Sequence, residues 1–298
     1  MLSASVASLL CPVCRAGLGA EGSGRTLVCP AGHSFDAAKQ GYFNFLVGKG
    51  TVFEADSADM VAARFEFLSA GHYGPLAEAV AELSAPVLTA AQAASGPAMA
   101  TVLDAGTGTG HYLRALLDRV AAEGKAPARK PVAAIGQDIS KFALRRAAKL
   151  NPEAVNLVGD VWQPLPVADH AVDVVTVVFA PRNAAEFARV LRPGGRLVIV
   201  TPRPGHLAEV AGPTGMLGIE PAKDERLAAS LAGRFSLLSA RDLDLDLSLS
   251  PADVARLALM GPAGHHLDRA ALGSFVGALA PLTAVSARFR ISVFQPRT

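Results

Sequence analysis

Beyond Cys29 the chain contains no cysteine; all three lie in the first 29 of its 298 residues. An odd, clustered, early set does not suit a disulfide framework. It suits a metal site in a reducing compartment, so a cytoplasmic protein is expected. Charge of one sign is missing too: 28 Lys and Arg against 26 Asp and Glu leave a formal net charge of +2. Bulk charge therefore announces no nucleic-acid partner, and any such surface must be a local patch. No apolar run reaches about 18 residues, so no membrane span is expected. Met1 to Leu10 lack a basic start and lead into Cys11-Pro12 without a small-residue cleavage site, so no signal peptide is read. No internal repeat is evident. What the composition supplies is 51% apolar residues, enough for a large core in one domain, with or without a small appendage.

The cysteines have a spacing. Cys11 and Cys14 are followed by Cys29 and then His33, a C-x2-C-x14-C-x3-H pattern. Four soft or borderline ligands make a closed tetrahedral zinc site, and with no position left for water the zinc is expected to be structural. Gly17, Gly19, Gly22 and Gly24 allow a tight hairpin between the two pairs. A segment this short buries too little surface to fold alone, so metal binding would supply its folding energy. Residues 1–40 are read as this zinc-binding unit.

Residues 41–100 read as a helical linker region. Gly41 to Leu46 form a short aromatic patch. Ser57 caps a helix running through Phe67 and Leu68, with Met60, Ala63, Arg64 and Phe67 at helical spacing and Gly71 closing it. A second helix covers about 75–84, and 85–100 reads as weak helix plus linker. From 101 to 298 strands and helices alternate, with near-continuous apolar strands at 102–105, 132–137, 155–158, 172–179 and 196–201. That pattern means a parallel sheet covered on both faces. Strands near 241–249 and 286–294 complete the set.

Val102-Leu-Asp104-Ala-Gly106-Thr-Gly108-Thr109-Gly110 is the most informative stretch. A dinucleotide fingerprint would place its third glycine at 111, where this chain has His111. The tighter spacing, with Asp104 at the strand end, resembles the first motif of S-adenosylmethionine-dependent methyltransferases. In an open α/β sheet, ligands bind beyond the carboxyl ends of the strands. Asp138 ends the second strand, where it can accept two ribose hydroxyls or act as a cap for the following helix. Asp160 follows the third strand, either meeting an adenine amino group or lying in a solvated turn.

The early cysteine pattern, Phe35-Asp36 through Gly41-Tyr42-x-Asn44, Phe67-Leu68-x-Ala70-Gly71-His72-Tyr73-x-Pro75-Leu76, Asp138-Ile-Ser140-Lys141, Ala180-Pro181 and Pro193-Gly-Gly together resemble one family. It is the 23S ribosomal RNA guanine-N1 methyltransferases, which includes tylosin-resistance enzymes. The match runs from about residue 11 to 210 and fades in the last third. It implies an α/β fold: a seven-stranded Rossmann-like S-adenosylmethionine-dependent methyltransferase with a small N-terminal zinc-binding domain. It implies zinc on Cys11, Cys14, Cys29 and His33, a role for the knuckle in gripping RNA, and cofactor contacts from Tyr73, Gly108, Thr109 and His206. It also implies a homodimer and an RNA target, N1 of guanine 745 or 748 in a domain II hairpin loop; in the family 748 goes with Gram-positive members, and as the Ala- and Arg-rich composition suits a high-GC actinobacterium, the resemblance implies 748 over 745.

Methyl transfer from a sulfonium is chiefly positioning, but guanine N1 must lose a proton as it attacks. Arg182 is the candidate to steady charge developing on O6; otherwise it is a solvated surface arginine. Lys125, Arg129 and Lys130, Arg145, Arg146 and Lys149, and Arg15 and Arg25 are candidates for RNA phosphates, unless they are simply solvated faces. Tyr42, Phe43 or Phe45 could stack on unpaired bases. A small-molecule methyltransferase with a merely structural knuckle, and a non-catalytic RNA-binding protein, remain as rivals.

Overall fold

The structure is a computed structural model and describes residues 5–48, 50–94, 99–123, 131–216 and 229–297. Lys125, Arg129 and Lys130 of the basic insert lie outside the described residues.

The N-terminal segment forms a three-stranded antiparallel sheet of β1 (Gly19–Glu21), β2 (Thr26–Val28) and β3 (Ser34–Asp36). It has no core of its own. Leu9, Leu18 and Leu27 join one buried cluster with Leu165, Val167 and sheet residues such as Leu103 and Ile135. Arg15 Nη1 ties the knuckle down by donating to the Leu165 carbonyl at 2.7 Å.

The main sheet has eight strands in the order β10-β11-β9-β8-β5-β6-β7-β4. They are β4 (Tyr42–Asn44), β5 (Thr101–Ala105), β6 (Ala133–Asp138), β7 (Val155–Val158), β8 (Val172–Val178), β9 (Leu191–Pro202), β10 (Phe235–Leu249) and β11 (Thr283–Pro296). Neighbours from β4 to β9 pair in parallel, and β11 and β10 close the sheet antiparallel. The Rossmann-like methyltransferase architecture is thus present with one strand more than the seven expected. The extra strand is the aromatic patch at 42–44, three residues that pair with β7 only because the ribbon is docked there. The strand order reverses between β5 and β8, and their carboxyl ends open the crevice where ligands bind in such sheets.

Helices cover both faces: α1 (Ala58–Ser69), α2 (Gly74–Ala93), α3 (His111–Glu123), α4 (Lys141–Leu150), α5 (Ala184–Val190), α6 (Ala208–Thr214), α7 (Pro251–Leu259) and α8 (Arg269–Gly277). Ser57 caps α1, accepting from Met60 N, and Gly71 at φ +85° turns the chain into α2. Helix α2 does not stop near 84 but continues through Pro86 to Ala93. An interior proline costs roughly 3 kcal/mol. Burial of Ala81, Ala85 and Leu88 against Leu113, Leu116 and Val102 outweighs that cost, a tertiary effect invisible to local propensity. Among the described residues no helix is long and apolar enough to cross a membrane.

Candidate active site and metal centre

Two tight turns build the metal centre. In the first, Cys11 N bonds Ala16 O at 2.7 Å and Arg15 N bonds Cys11 O at 2.9 Å; in the second, Cys29 N bonds His33 O at 3.1 Å and Gly32 N bonds Cys29 O at 2.9 Å. They place Cys14 Sγ 3.6 Å from Cys29 Sγ, and His33 Nδ1 3.3 Å from Cys29 Sγ and 3.7 Å from Cys11 Sγ. All four ligand atoms lie within 4.8 Å of one another. A tetrahedron with metal–sulfur bonds of about 2.3 Å has edges of about 3.8 Å, so the donors already stand at zinc-binding separations. Burial pushes the Cys29 thiol up, but hydrogen bonds from His33 bring it down to about 6, favouring the thiolate a metal requires.

The glycine loop joins β5 to α3. Gly106 N and Thr107 N donate to Gln137 O at 2.8 and 2.9 Å. The three glycines differ in what holds them. A Cβ on Gly106 would overlap that of Ala180, and one on Gly110 would stand 2.5 Å from Asn151 Nδ2. Gly108 meets nothing closer than the Arg64 side chain at 3.8 Å, so its face is the open one.

Asp104 is 1% exposed. Its Oδ1 accepts from Thr176 Oγ1 at 2.7 Å, while its Oδ2 is buried without a partner among the described residues. Burial raises its carboxyl to about 6 despite the Thr176 hydrogen bond. Asp138 spends one oxygen on Gly108 N at 2.9 Å and the other on Ser140 N at 2.8 Å; it shapes the loop, while the cap of α4 is Ser140. Burial also raises Asp138, against those two amides. Asp160 is buried, accepting from Trp162 N and from Thr51 Oγ1, each at 2.9 Å. Thr109 Oγ1 lies 2.9 Å from His111 Nδ1, whose Nε2 is 3.1 Å from Ser69 Oγ; burial lowers His111 to about 4, so the ring is neutral.

Tyr73 and His206 form a second group, across the crevice. Phe289 is fully buried, with its ring centroid 5.1 Å from that of Tyr73 and 4.9 Å from that of His206. His206 Nδ1 accepts from Arg288 N at 3.1 Å. Tyr73 is 3% exposed with no partner for its hydroxyl among the described residues, and burial drives its pKa well up. Tyr112, packed against the cluster that holds Tyr73, likewise has its hydroxyl pKa raised by burial.

Arg182 follows β8, half-buried, its guanidinium pKa lowered by burial. It makes no hydrogen bond or ion pair among the described residues.

Sequence reasoning missed Arg64. Its guanidinium pairs with Asp56, and Nη2 donates to Met260 O at 2.6 Å. Asp56 in turn receives Ser140 Oγ on its carbonyl at 2.9 Å. Helix α1 therefore sets the Arg64–Asp56 ion pair against Gly108. The signal was a charged residue on the apolar face of α1, beside Met60, Ala63 and Phe67.

The stacking candidates need correction. Phe43 and Phe45 are 1% and 5% exposed and belong to the core, and Tyr42 is partly buried against Val61 and Ala143. Arg145, Arg146 and Lys149 are exposed on α4 and unpaired with acids among the described residues; Arg145 lies over Phe142 at 5.2 Å and Arg146 over Phe65 at 4.8 Å. Arg25 is spent on the Ala37 and Ala38 carbonyls at 3.3 and 2.8 Å. A cavity of about 400 Å³ lined by Pro86, Asp173, Arg192 and Gly194 lies at the amino ends of β8 and β9, away from this chemistry.

Residues 9–47 match a family model described as RlmA, N-terminal, a zinc ribbon, and 102–195 match one described as methyltransferase domain. A Micromonospora griseorubida protein, provisionally named 23S rRNA (guanine-N(1)-)-methyltransferase, is 43% identical over 297 residues, 97% of each chain. The Streptomyces fradiae 23S rRNA (guanine(748)-N(1))-methyltransferase is 40% identical over 289 residues, 97% of this chain and 96% of that one. The chain belongs to the 23S rRNA (guanine-N1)-methyltransferase family. Among solved structures, a chain from the complex of the Haloferax volcanii Trm112 methyltransferase activator with a methyltransferase has a TM-score of 0.48 at 20% identity, covering 83% of this chain and 100% of that one.

As a methyltransferase of this family the protein uses S-adenosylmethionine and a structural zinc. Both fit the residues present. The Tyr73 hydroxyl and Asp104 Oδ2 are buried polar atoms without a partner among the described residues, as groups awaiting a polar ligand would be, and the Cys3His set has a tetrahedron's edges.

Proposed function

We propose that the protein methylates N1 of a guanine in a domain II hairpin loop of 23S rRNA, position 748 in preference to 745, and thereby confers resistance to tylosin-type macrolides. The observation that carries the substrate is identity across 97% of the chain, ribbon included, with a Streptomyces fradiae protein named for guanine 748. S-Adenosylmethionine, when bound, supplies a methyl group already activated for displacement.

The chain's own residues do the positioning, which is the chief demand of such a reaction. Gly106 to Gly110, with Asp104, Tyr73 and His206, hold the donor, and Arg64 takes its amino-acid carboxylate. Asp138 orders the loop through Gly108 N, and Asp160 with Thr51 closes the adenine end. Arg182, unpaired and partly desolvated, faces the charge that grows on guanine O6 as N1 loses its proton. RNA phosphates meet Arg145, Arg146 and Lys149, whose lack of acidic partners leaves their charge available. The ribbon, ordered by zinc, provides a second RNA-facing surface.

Incubation with tritiated S-adenosylmethionine and unmethylated 23S rRNA, followed by primer extension, tests this reading. Label in RNA with a stop at guanine 748 supports it. Label confined to small molecules, or no transfer at all, overturns it.

A further inference from the structure

Phe179 is doubly disfavoured where it stands. Its backbone has φ +55°, in the left-handed region that disfavours a bulky L-residue. Its side chain is also 44% exposed. Glycine or asparagine would occupy that conformation at lower cost. Strain of this kind persists where the surroundings enforce it, and it concentrates at sites where a side chain must be presented.

The surroundings are those of the active site. Phe179 directly follows β8, its N–H held by Val200 O at 3.3 Å. The next residue, Ala180, is the one whose Cβ a side chain on Gly106 would strike, and Arg182 lies three positions on. The Phe179 ring is 5.6 Å from that of Phe289 at 43°, extending the row that begins with Tyr73. One edge of the ring is thus anchored on the core while the remainder stays open.

We infer that Phe179 is the stacking platform for the target guanine, a substrate-positioning residue that presents N1 to the donor while Arg182 meets O6. The inference rests on the RNA-guanine reading above. An unstacked loop base offers a π-face of matching chemistry. The buried Phe43 and Phe45 cannot provide such a surface, whereas Phe179 provides one beside the glycine loop.

The test uses the full-length, zinc-loaded enzyme, with a domain II hairpin RNA as substrate and S-adenosylhomocysteine as the donor-site probe. Phe179→Leu keeps apolar bulk without the π-face, and Phe179→Tyr restores the π-face. Stacking one base corresponds to a loss of roughly 5- to 150-fold on removal. The expected result for F179L is a loss of that size in kcat/KM for RNA, with S-adenosylhomocysteine affinity within twofold of wild type; F179Y retains near wild-type kcat/KM. A second readout uses the chain's single tryptophan, Trp162. In the double variant W162F/F179W the only indole sits at 179, and its fluorescence should be quenched by the hairpin but not by the same hairpin with an abasic target site. Wild-type transfer to RNA combined with F179L activity within twofold of wild type, or with equal quenching by the abasic hairpin, overturns this inference alone. Equal loss of S-adenosylhomocysteine affinity in F179L also overturns it, by making Phe179 part of the donor site. Absence of any transfer to RNA by the wild type overturns the substrate reading and this inference with it.

Discussion

Gly106 and Gly108 look alike in the sequence and should respond oppositely to the same substitution. Both have positive φ, +81° and +55°, so alanine pays a backbone penalty of roughly 1–2 kcal/mol at either. At Gly106 the new methyl also overlaps the Ala180 Cβ, with the Ala180 Cα only 3.6 Å away. Relieving that overlap means moving backbone between β5 and β8, an overpacking cost of roughly 1–3 kcal/mol. Gly106→Ala should therefore lose about 2–5 kcal/mol, a fall in Tm of about 4–20 °C for a domain of this size. Gly108→Ala should lose only the backbone part, because its methyl enters the space in front of Arg64, 3.8 Å away. In the proposed reading the donor occupies that space, so G108A should weaken S-adenosylhomocysteine at least about tenfold while remaining folded. Differential scanning calorimetry and isothermal titration separate the two effects. Ala180→Gly in the G106A background should recover the overpacking part, since neighbouring sites do not add independently. If G106A and G108A melt within about a degree of each other, or A180G fails to rescue, the packing argument for Gly106 is wrong.

Cys29→Ser should abolish stoichiometric zinc measured by inductively coupled plasma emission spectroscopy, and it should lower Tm, because Leu9, Leu18 and Leu27 of the ribbon share a core with Leu165 and Val167; unchanged zinc content refutes the four-ligand site. Asp104 has its carboxyl raised to about 6 by burial, against roughly 4 when unfolded. The folded state thus holds its proton more tightly, and wild-type stability falls as pH rises from about 4 to about 6. Asp104→Asn removes that loss, so its stability relative to wild type should grow by about 3 kcal/mol across this window in donor-free urea titrations; a constant difference would contradict the assignment. Arg64→Ala should weaken S-adenosylhomocysteine by roughly 10- to 150-fold, the worth of a charge-assisted hydrogen bond. Affinity for methylthioadenosine, which lacks the amino-acid part, should stay within twofold; equal losses for both ligands would remove Arg64 from the carboxylate role.

The metal centre and the glycine loop could be read directly, because each is a local constraint. Ligand spacing on two tight turns and glycine at positions of positive φ are decided within a few residues, and Cys11, Cys14, Cys29 and His33 do converge. The existence of β5 to β9 and their parallel, doubly covered sheet followed from apolar runs, while their order in the sheet came only with the structure. Tertiary structure decided what depends on distant partners. Residues 42–44 became an eighth strand, and Phe43 and Phe45 became core, because the ribbon docks on the sheet edge. Helix α2 passes through Pro86 because Leu113 and Leu116 wait on its far side. Arg64 reaches Gly108, 44 positions on, only through the packing of α1 across the crevice. The unusual conformation of Phe179 has no sequence signature at all, since nothing in Val-Phe-Ala-Pro forces a left-handed phenylalanine; the junction of β8 with the glycine loop imposes it.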